Sequence, residues 1–158
     1  MEKTIHEFFL HRAIDLAIQN VIENGGPFGA VITRNNQIIA EGGNKVTANM
    51  DPTAHAEVMA IRLACQKLNS FELKDCILYS SCEPCPMCLG AIYWARIQTV
   101  YFAADRKDAA SIQFDDDFIY REVQLAPANR TLPFIQLSLI NSLQPFMNWN
   151  TKNDKTHY

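Results

Sequence analysis

The amino-acid sequence predicts a single α/β domain, a three-layer α/β/α sandwich with a mixed sheet of about five strands. Segments with helical and with strand periodicity alternate along the 158 residues, a pattern typical of α/β domains. A tight turn joins the first two predicted strands, which therefore pair antiparallel, whereas helices join the later ones. Since no repeat, linker or low-complexity segment divides the sequence, we expect one domain over residues 1–158.

Hydrophobic periodicity assigns the elements in order. Apolar residues at helical spacing predict helices, and short runs of β-branched and aromatic residues predict strands. The predicted elements are a helix over residues 4–23, strands over 28–33 and 37–40, a helix from 51–53 to 68, a strand over 76–80, a helix over 87–95, a strand over 99–103, a turn or short helix over 115–120, a strand over 134–140 and a helix near 143–150.

Local signals support several of these boundaries. Gly25-Gly26-Pro27 ends the first helical pattern, and Asn35-Asn36 between two strand patterns is typical of a hairpin turn. Asp51-Pro52-Thr53 places a proline where a helix can begin, so we expect the second helix to open there.

Composition and charge narrow the class of protein. Hydrophobic residues make up 48% of the chain and charged residues 20%, which is ordinary for a soluble globular protein. No apolar run approaches the roughly 20 residues that cross a bilayer, and the polar N-terminus lacks the apolar core of a secretory signal. The formal net charge of −3 argues against an extended nucleic-acid surface and suits a small neutral ligand.

The five cysteines point to metal chemistry. Their number is odd, and Cys82, Cys85 and Cys88 are clustered. In a chain without a secretory signal, this pattern favours metal binding in a reducing compartment over a disulfide framework. We therefore expect a cytoplasmic protein.

One pair of motifs defines the expected chemistry. His55-Ala56-Glu57 is followed about thirty residues later by Pro84-Cys85-Pro86-Met87-Cys88. One His and two Cys provide three ligands for a tetrahedral Zn²⁺ and leave the fourth position for water, as in catalytic zinc sites. Glu57 stays free to act as general acid and base. The same H-x-E and P-C-x-x-C signature occurs in zinc-dependent nucleobase deaminases.

The spacing within these motifs restricts where a common metal site can lie. Cys85 and Cys88 stand at i and i+3 near a helix start, so both sulfurs can reach one metal. Within a regular helix His55 and Glu57 would point about 200° apart. They can serve one site only if that site lies over the end of the helix.

A structural zinc site is the alternative at this point. Cys82-Glu83-Pro84-Cys85 forms a second, overlapping CxxC. However, Cys82 precedes the proline that starts the helix, and we expect its side chain to point elsewhere. Cys65 and Cys76 are most simply buried hydrophobic residues. Structural zinc sites with four protein ligands usually combine two ligand pairs, whereas the first motif here offers only a single His, His55, beside a Glu.

Nearly the whole chain resembles the cytidine-deaminase-like zinc hydrolases, and within them the small bacterial guanine deaminases. Five segments carry this resemblance: Gly25 to Val31, Asn44, Asp51 to Glu57, Ser81 to Trp94, and Phe114-Asp115-Asp116. The resemblance implies a cytidine-deaminase-like fold and the hydrolysis of guanine to xanthine and ammonia, with Zn²⁺ as cofactor.

The resemblance also implies roles for residues outside the zinc motif. Asn44 would hydrogen-bond the purine edge, and Asp116 would stand near the amino group as a second acceptor and proton carrier. Phe28 would offer a ring face to the base. Tyr158 would close the pocket from a C-terminal segment, residues 141–158, that such enzymes exchange between the subunits of a homodimer.

Other functions remain open from the sequence. Without the family resemblance, Asp116 could simply belong to a solvated acidic turn, and Asn44 could be a turn residue that adopts positive φ. A tRNA adenosine deaminase shares the segment Glu83 to Cys88, although we find no basic stripe for a polyanion. Deamination of cytosine, an aminotriazine or guanosine is a further alternative. The non-enzyme alternative is a degenerate, zinc-stabilised binding protein, against which the intact Glu57 argues.

Overall fold

The computed structural model describes residues 2–158, with side chains from residue 5 onward. The elements are α1 (Glu2–Ile22), β1 (Gly29–Arg34), β2 (Gln37–Gly43), α2 (Val46–Asn49), α3 (Ala56–Leu68), β3 (Cys76–Cys82), α4 (Pro86–Trp94), β4 (Thr99–Ala104), α5 (Arg106–Ser111), α6 (Asp116–Gln124), a 3₁₀ turn (Pro127–Asn129) and α7 (Gln144–Thr151).

The strands form a mixed sheet in the order β2-β1-β3-β4. β1 pairs antiparallel with both β2 and β3, and β3 pairs parallel with β4. Asn35 and Asn36 both adopt positive φ, 51° and 59°, as the predicted hairpin turn between β1 and β2 requires. The parallel pair β3 and β4 is joined through α4, because parallel strands need a crossover connection.

Helices cover the two faces of the sheet, which confirms the predicted three-layer fold. On one face, α1 packs Phe9 and Ala13 against Val31 and Tyr79. On the other face, small residues of α3 and Ile92 of α4 pack against a second apolar cluster from the strands. Strand residues alternate between the two clusters, since successive side chains of a strand point to opposite faces.

The start of α3 lies unusually close to the sheet. A Cβ added to Gly42 on β2 would lie 2.3 Å from the carbonyl oxygen of Ala56 and 2.7 Å from the backbone nitrogen of Ala60. Only glycine therefore permits this approach, and the alanines that face it, Ala56 and Ala60, are themselves fully buried. This contact fixes where the first turn of α3 meets the sheet.

The predicted opening of this helix at residues 51–53 is wrong. The Asp51 carboxylate accepts hydrogen bonds from the backbone nitrogen and the hydroxyl of Thr53, at 2.8 and 2.7 Å. This turn satisfies the local polar groups before the helix begins. Ala56 is the first helical residue and His55 is the N-cap.

The predicted fifth strand at residues 134–140 is also wrong. Within residues 2–158 the sheet has four strands, and residues 133–139 have no regular secondary structure. The apolar residues that suggested a strand are exposed, with Ile135 80%, Leu137 74% and Leu139 66% accessible. A strand exists only through hydrogen bonds to a neighbouring strand, and this segment forms none with the other described residues.

Short helix α5 was not predicted, although the sequence contains its signal. Asp105 accepts hydrogen bonds from the backbone nitrogens of Lys107 and Asp108, and the Asp108 side chain accepts one from the Asp105 nitrogen. This is a capping box, which favours a helix start. None of the helices in the described part of the chain is long and apolar enough to cross a membrane.

Candidate active site

Two helix N-termini meet at one point beside the sheet. His55 is the N-cap of α3 and Cys85 is the N-cap of α4, both with extended backbone (ψ 156° and 168°). Neither side chain makes a capping hydrogen bond to its own helix, so both are free to point away from it. Pro86 starts α4 in the position where a proline suits a helix.

The three expected metal ligands lie together. The Nδ1 atom of His55 is 3.5 Å from the Sγ atoms of both Cys85 and Cys88. All three atoms lie within 4.8 Å of one another. Ligand atoms held at zinc bond lengths around a tetrahedral ion are about 3.6 Å apart from nitrogen to sulfur. The donor set and its spacing therefore fit zinc.

Cys82 lies apart from this group. Its Sγ donates a hydrogen bond to the backbone oxygen of Asp105 at 3.5 Å. Burial raises the pKa of the Cys82 thiol to about 12, so the thiol stays neutral at physiological pH. The side chain thus behaves as a small buried group at the end of β3.

The electrostatics of the site favour a thiolate. The pKa of Cys85 is lowered to about 4 by its hydrogen bond with Cys88, and the hydrogen bond with His55 adds to the effect. The hydrogen bond with Cys85 in turn raises the pKa of His55. The positive ends of α3 and α4 point at the same place and stabilise negative charge there. A bound dication would favour thiolates at both cysteines.

Glu57 reaches the same site from the first turn of α3. Its side chain is buried, with 6% of its surface accessible. Ser80 donates a hydrogen bond to Oε1 at 3.3 Å, and the Cys88 thiol donates one to Oε2 at 3.5 Å. Burial raises the pKa of Glu57. His55 and Glu57 can share the site because His55 stands outside the helix, so the site lies over the helix end.

The remaining wall of the site is built from four other segments. A cavity of about 30 Å³ is lined by Phe28, Asn44, His55, Glu57, Glu83, Cys85, Phe114 and Asp116. Asn44 is buried, and its Oδ1 accepts a hydrogen bond from the backbone nitrogen of Val46 at 3.2 Å. Asp116 begins α6, and burial raises the pKa of its carboxyl group.

Two lining residues were not singled out from the sequence. Phe114 packs edge-on against Phe28, with ring centroids 4.8 Å apart. Glu83 accepts a hydrogen bond from the backbone nitrogen of Arg106 at 3.1 Å. Both belong to segments that carried the family resemblance, and their position within those segments was the available signal.

Tyr158 lies away from the site of its own chain. Its ring centroid is 6.1 Å from that of Trp94 and 6.5 Å from that of Trp149. These side chains line a separate cavity of about 780 Å³ beside α3 and α4. The Tyr158 side chain is 70% accessible. Within one chain it therefore contributes nothing to the wall described above.

Comparisons with known proteins agree with this architecture. Residues 3–104 match the model of the cytidine and deoxycytidylate deaminase zinc-binding region. The chain is 56% identical to the guanine deaminase of Bacillus subtilis over 97% of this chain and 99% of that protein. The crystal structure of the Bacillus subtilis enzyme superimposes with a TM-score of 0.94, over 97% of this chain and 98% of that one.

More distant relatives share the core of the domain. The solved guanine deaminase of Nitrosomonas europaea is 33% identical with a TM-score of 0.66, over 68% of this chain and 63% of that one. The tRNA-specific adenosine deaminase of Aquifex aeolicus is 42% identical over 64% of this chain and 68% of that protein. Residues 3–104 match the zinc-binding region, and the likeness to the Bacillus subtilis enzyme extends over 97% of the chain. The chain therefore belongs to the cytidine and deoxycytidylate deaminase family of zinc-binding enzymes.

Proposed function

We propose that this protein is a guanine deaminase, which hydrolyses guanine to xanthine and ammonia. One observation carries the proposal: the His/Cys/Cys ligand group lies at a cavity that is also lined by three carboxylates, Glu57, Glu83 and Asp116, and by the buried amide of Asn44. The 56% identity to the Bacillus subtilis guanine deaminase over nearly the whole chain supports it.

His55, Cys85 and Cys88 would hold the zinc ion. When bound, zinc supplies Lewis acidity that lowers the pKa of a water molecule toward about 7. The rest of the chemistry belongs to the side chains around it. Hydrolysis forms a bond from the water oxygen to the ring carbon that bears the amino group, and it breaks the bond from that carbon to nitrogen.

Glu57 would carry the protons of this reaction. Its carboxylate lies against the ligand Cys88 and accepts the proton that the attacking water loses. The same group then passes this proton to the ring nitrogen. As the C–N bond breaks and the carbonyl forms, it transfers the remaining proton of the added hydroxyl to the amine, which leaves as ammonia. Burial suits this role, because a carboxyl group with a raised pKa can both accept and return a proton near neutral pH.

Asn44, Asp116 and Phe28 would recognise the base. Guanine presents neighbouring N–H and NH₂ donors, which suit a carboxylate acceptor such as Asp116. The Asn44 amide can hydrogen-bond the purine edge, and Phe28 can pack against the ring.

The metal ligands can be tested by zinc analysis. We expect about one zinc per chain in the wild type and in Cys82→Ala, because Cys82 lies outside the ligand group. Cys85→Ala should lose most of its zinc, since two ligands bind a metal far more weakly than three. Loss of zinc from Cys82→Ala but not from Cys85→Ala, by elemental analysis of the purified proteins, would contradict the assignment.

The substrate can be tested by an ammonia-release assay. We expect turnover of guanine and not of cytosine, adenine, guanosine or a tRNA anticodon stem. Asp116→Asn should lower kcat by on the order of 10²-fold, because an amide cannot accept a proton. Asn44→Ala should lower kcat/KM about tenfold through a lost hydrogen bond.

Asp115→Asn is the matched control for Asp116→Asn. Asp115 is the exposed neighbour and makes no capping hydrogen bond, so its amide variant should retain wild-type turnover. If guanine is inert while cytosine or the tRNA stem is converted, the choice of guanine is wrong and the deaminase chemistry stands.

We also propose a cytoplasmic homodimer that exchanges residues 141–158. Bulky apolar side chains in this segment are exposed in the single chain, among them Phe146 at 70% and Met147 at 59% accessibility. Exposed apolar surface of this kind marks an interaction site. Exchange of a terminal segment is a low-cost route to a dimer. It would also bring Tyr158 to the partner's cavity, closing it against water.

A further inference from the structure

Tyr120 connects the helix that carries Asp116 to the loop that carries Cys85. Its Oη donates a hydrogen bond to the backbone oxygen of Pro84 at 2.6 Å. Pro84 is buried and directly precedes Cys85. Tyr120 follows Asp116 by four residues on α6, so both side chains lie on one face of that helix.

We propose that Tyr120 is a positioning residue that holds the Asp116 carboxylate at the site. The proposal rests on the proposed function, because it assigns Tyr120 a part in guanine deamination. Tyr120 does not line the cavity, so it acts through Asp116 and not on the base.

A second contact fixes the Tyr120 ring. The guanidinium carbon of Arg106 lies 4.6 Å from the ring centroid. The backbone nitrogen of the same Arg106 donates to the Glu83 carboxylate, and the Glu83 backbone nitrogen donates to the oxygen of Ala104. Residues 83–84 are therefore hydrogen-bonded both to the start of α5, through Arg106, and to α6, through Tyr120.

Helix α6 lies at the surface, and its other side-chain hydrogen bonds to the rest of the domain are near its C-terminal end, where Glu122 accepts from the backbone nitrogen and the hydroxyl of Thr131 at 2.8 and 3.0 Å. None of its residues is buried, and its apolar residues Phe118, Ile119 and Val123 are 44%, 40% and 53% accessible. Its N-cap residue, Asp115, makes no side-chain capping hydrogen bond. Because no residue of the helix is buried and the Glu122 contact lies near its C-terminal end, the short hydrogen bond from Tyr120 to a buried carbonyl has a large share in fixing the end that carries Asp116.

The variant Tyr120→Phe removes only the hydroxyl and keeps the ring beside Arg106. We expect kcat for guanine to fall about tenfold, since small misplacements of a reacting group are costly. KM should change little, and zinc content should stay at that of the wild type. Tyr93→Phe, at an exposed tyrosine of α4, is the matched control and should leave kcat unchanged.

A double-mutant cycle separates positioning from a general loss of stability. In an Asp116→Asn background, Tyr120→Phe should cause no further fall in kcat, because the group that it positions is already disabled. A tenfold fall in that background as well would overturn the proposal, and so would wild-type kcat in the single variant.

Hydrogen exchange tests the same contact without any substrate. Amides of residues 116–124 should exchange faster in Tyr120→Phe than in the wild type, while those of α1 and α3 should be unchanged. Unchanged exchange in α6 would overturn the proposal. If the wild type fails to deaminate guanine, the proposed function fails, and the exchange experiment still decides whether Tyr120 holds the helix.

Discussion

Glu57→Gln should retain zinc and fold but lose guanine turnover by 10²–10⁴-fold, the usual contribution of general acid–base catalysis. This loss corresponds to about 3–5.5 kcal/mol of transition-state stabilisation. The amide has the shape of the carboxylate but cannot accept the proton from water. Since the same group would also protonate the ring nitrogen and the leaving amine, we expect a value toward the upper end. Steady-state kinetics with guanine provide the measurement.

The hydrogen bonds of Glu57 explain why the fold should survive the change. The amide oxygen can still accept from Ser80, and the amide nitrogen can donate to the Cys88 sulfur. Burying a neutral amide in place of a carboxylate also relieves a desolvation cost. Glu72→Gln, on the surface beside Lys74, is the matched control and should leave turnover unchanged. Near-wild-type turnover by Glu57→Gln with full zinc content would show that another group carries the protons.

Local patterns in the sequence were sufficient to predict most of the fold. The helix–hairpin–helix order, the Asn35-Asn36 turn and the parallel pairing through α4 each depend on residues that are close in the chain. The zinc motif could be recognised for the same reason, since H-x-E and P-C-x-x-C place fixed residue types at fixed spacing.

The features that were missed depend either on local turns and caps, which hydrophobic periodicity does not encode, or on contacts between distant residues. The sequence predicted that α3 starts at residues 51–53, whereas it starts at Ala56, because Asp51 forms a turn with Thr53. Hydrophobic periodicity does not encode such a turn. That shift makes His55 an N-cap and lets it share a site with Glu57. The alternating apolar residues at 134–140 suggested a strand, but strand formation needs a partner strand, and residues 2–158 do not provide one for this segment. The contact between Tyr120 and Pro84 spans 36 residues and leaves no local signal.

Deleting residues 153–158 should leave zinc and most of the fold but sharply reduce guanine turnover. These residues follow α7, and Tyr158 rests on Trp94 and Trp149 at the surface, so the core loses few contacts. If the segment closes the cavity of a partner, its loss exposes the site to water and weakens the electrostatic interactions there. Full turnover by the shortened chain would contradict a role for the tail.

Mixing two inactive chains then shows which subunit each tail serves. One chain lacks residues 153–158 and the other carries Glu57→Gln. In a mixed dimer with exchanged tails, the shortened chain has an intact Glu57 and receives the complete tail of its partner, so one site works. Random pairing makes about half of the dimers mixed, and turnover should therefore return to about one quarter of the wild-type value. A chain that combines the deletion with Glu57→Gln, paired with the shortened chain, is the control and should stay inactive, because no complete tail is present. If each tail serves its own chain, no subunit of the first mixture has both parts, and that mixture also stays inactive.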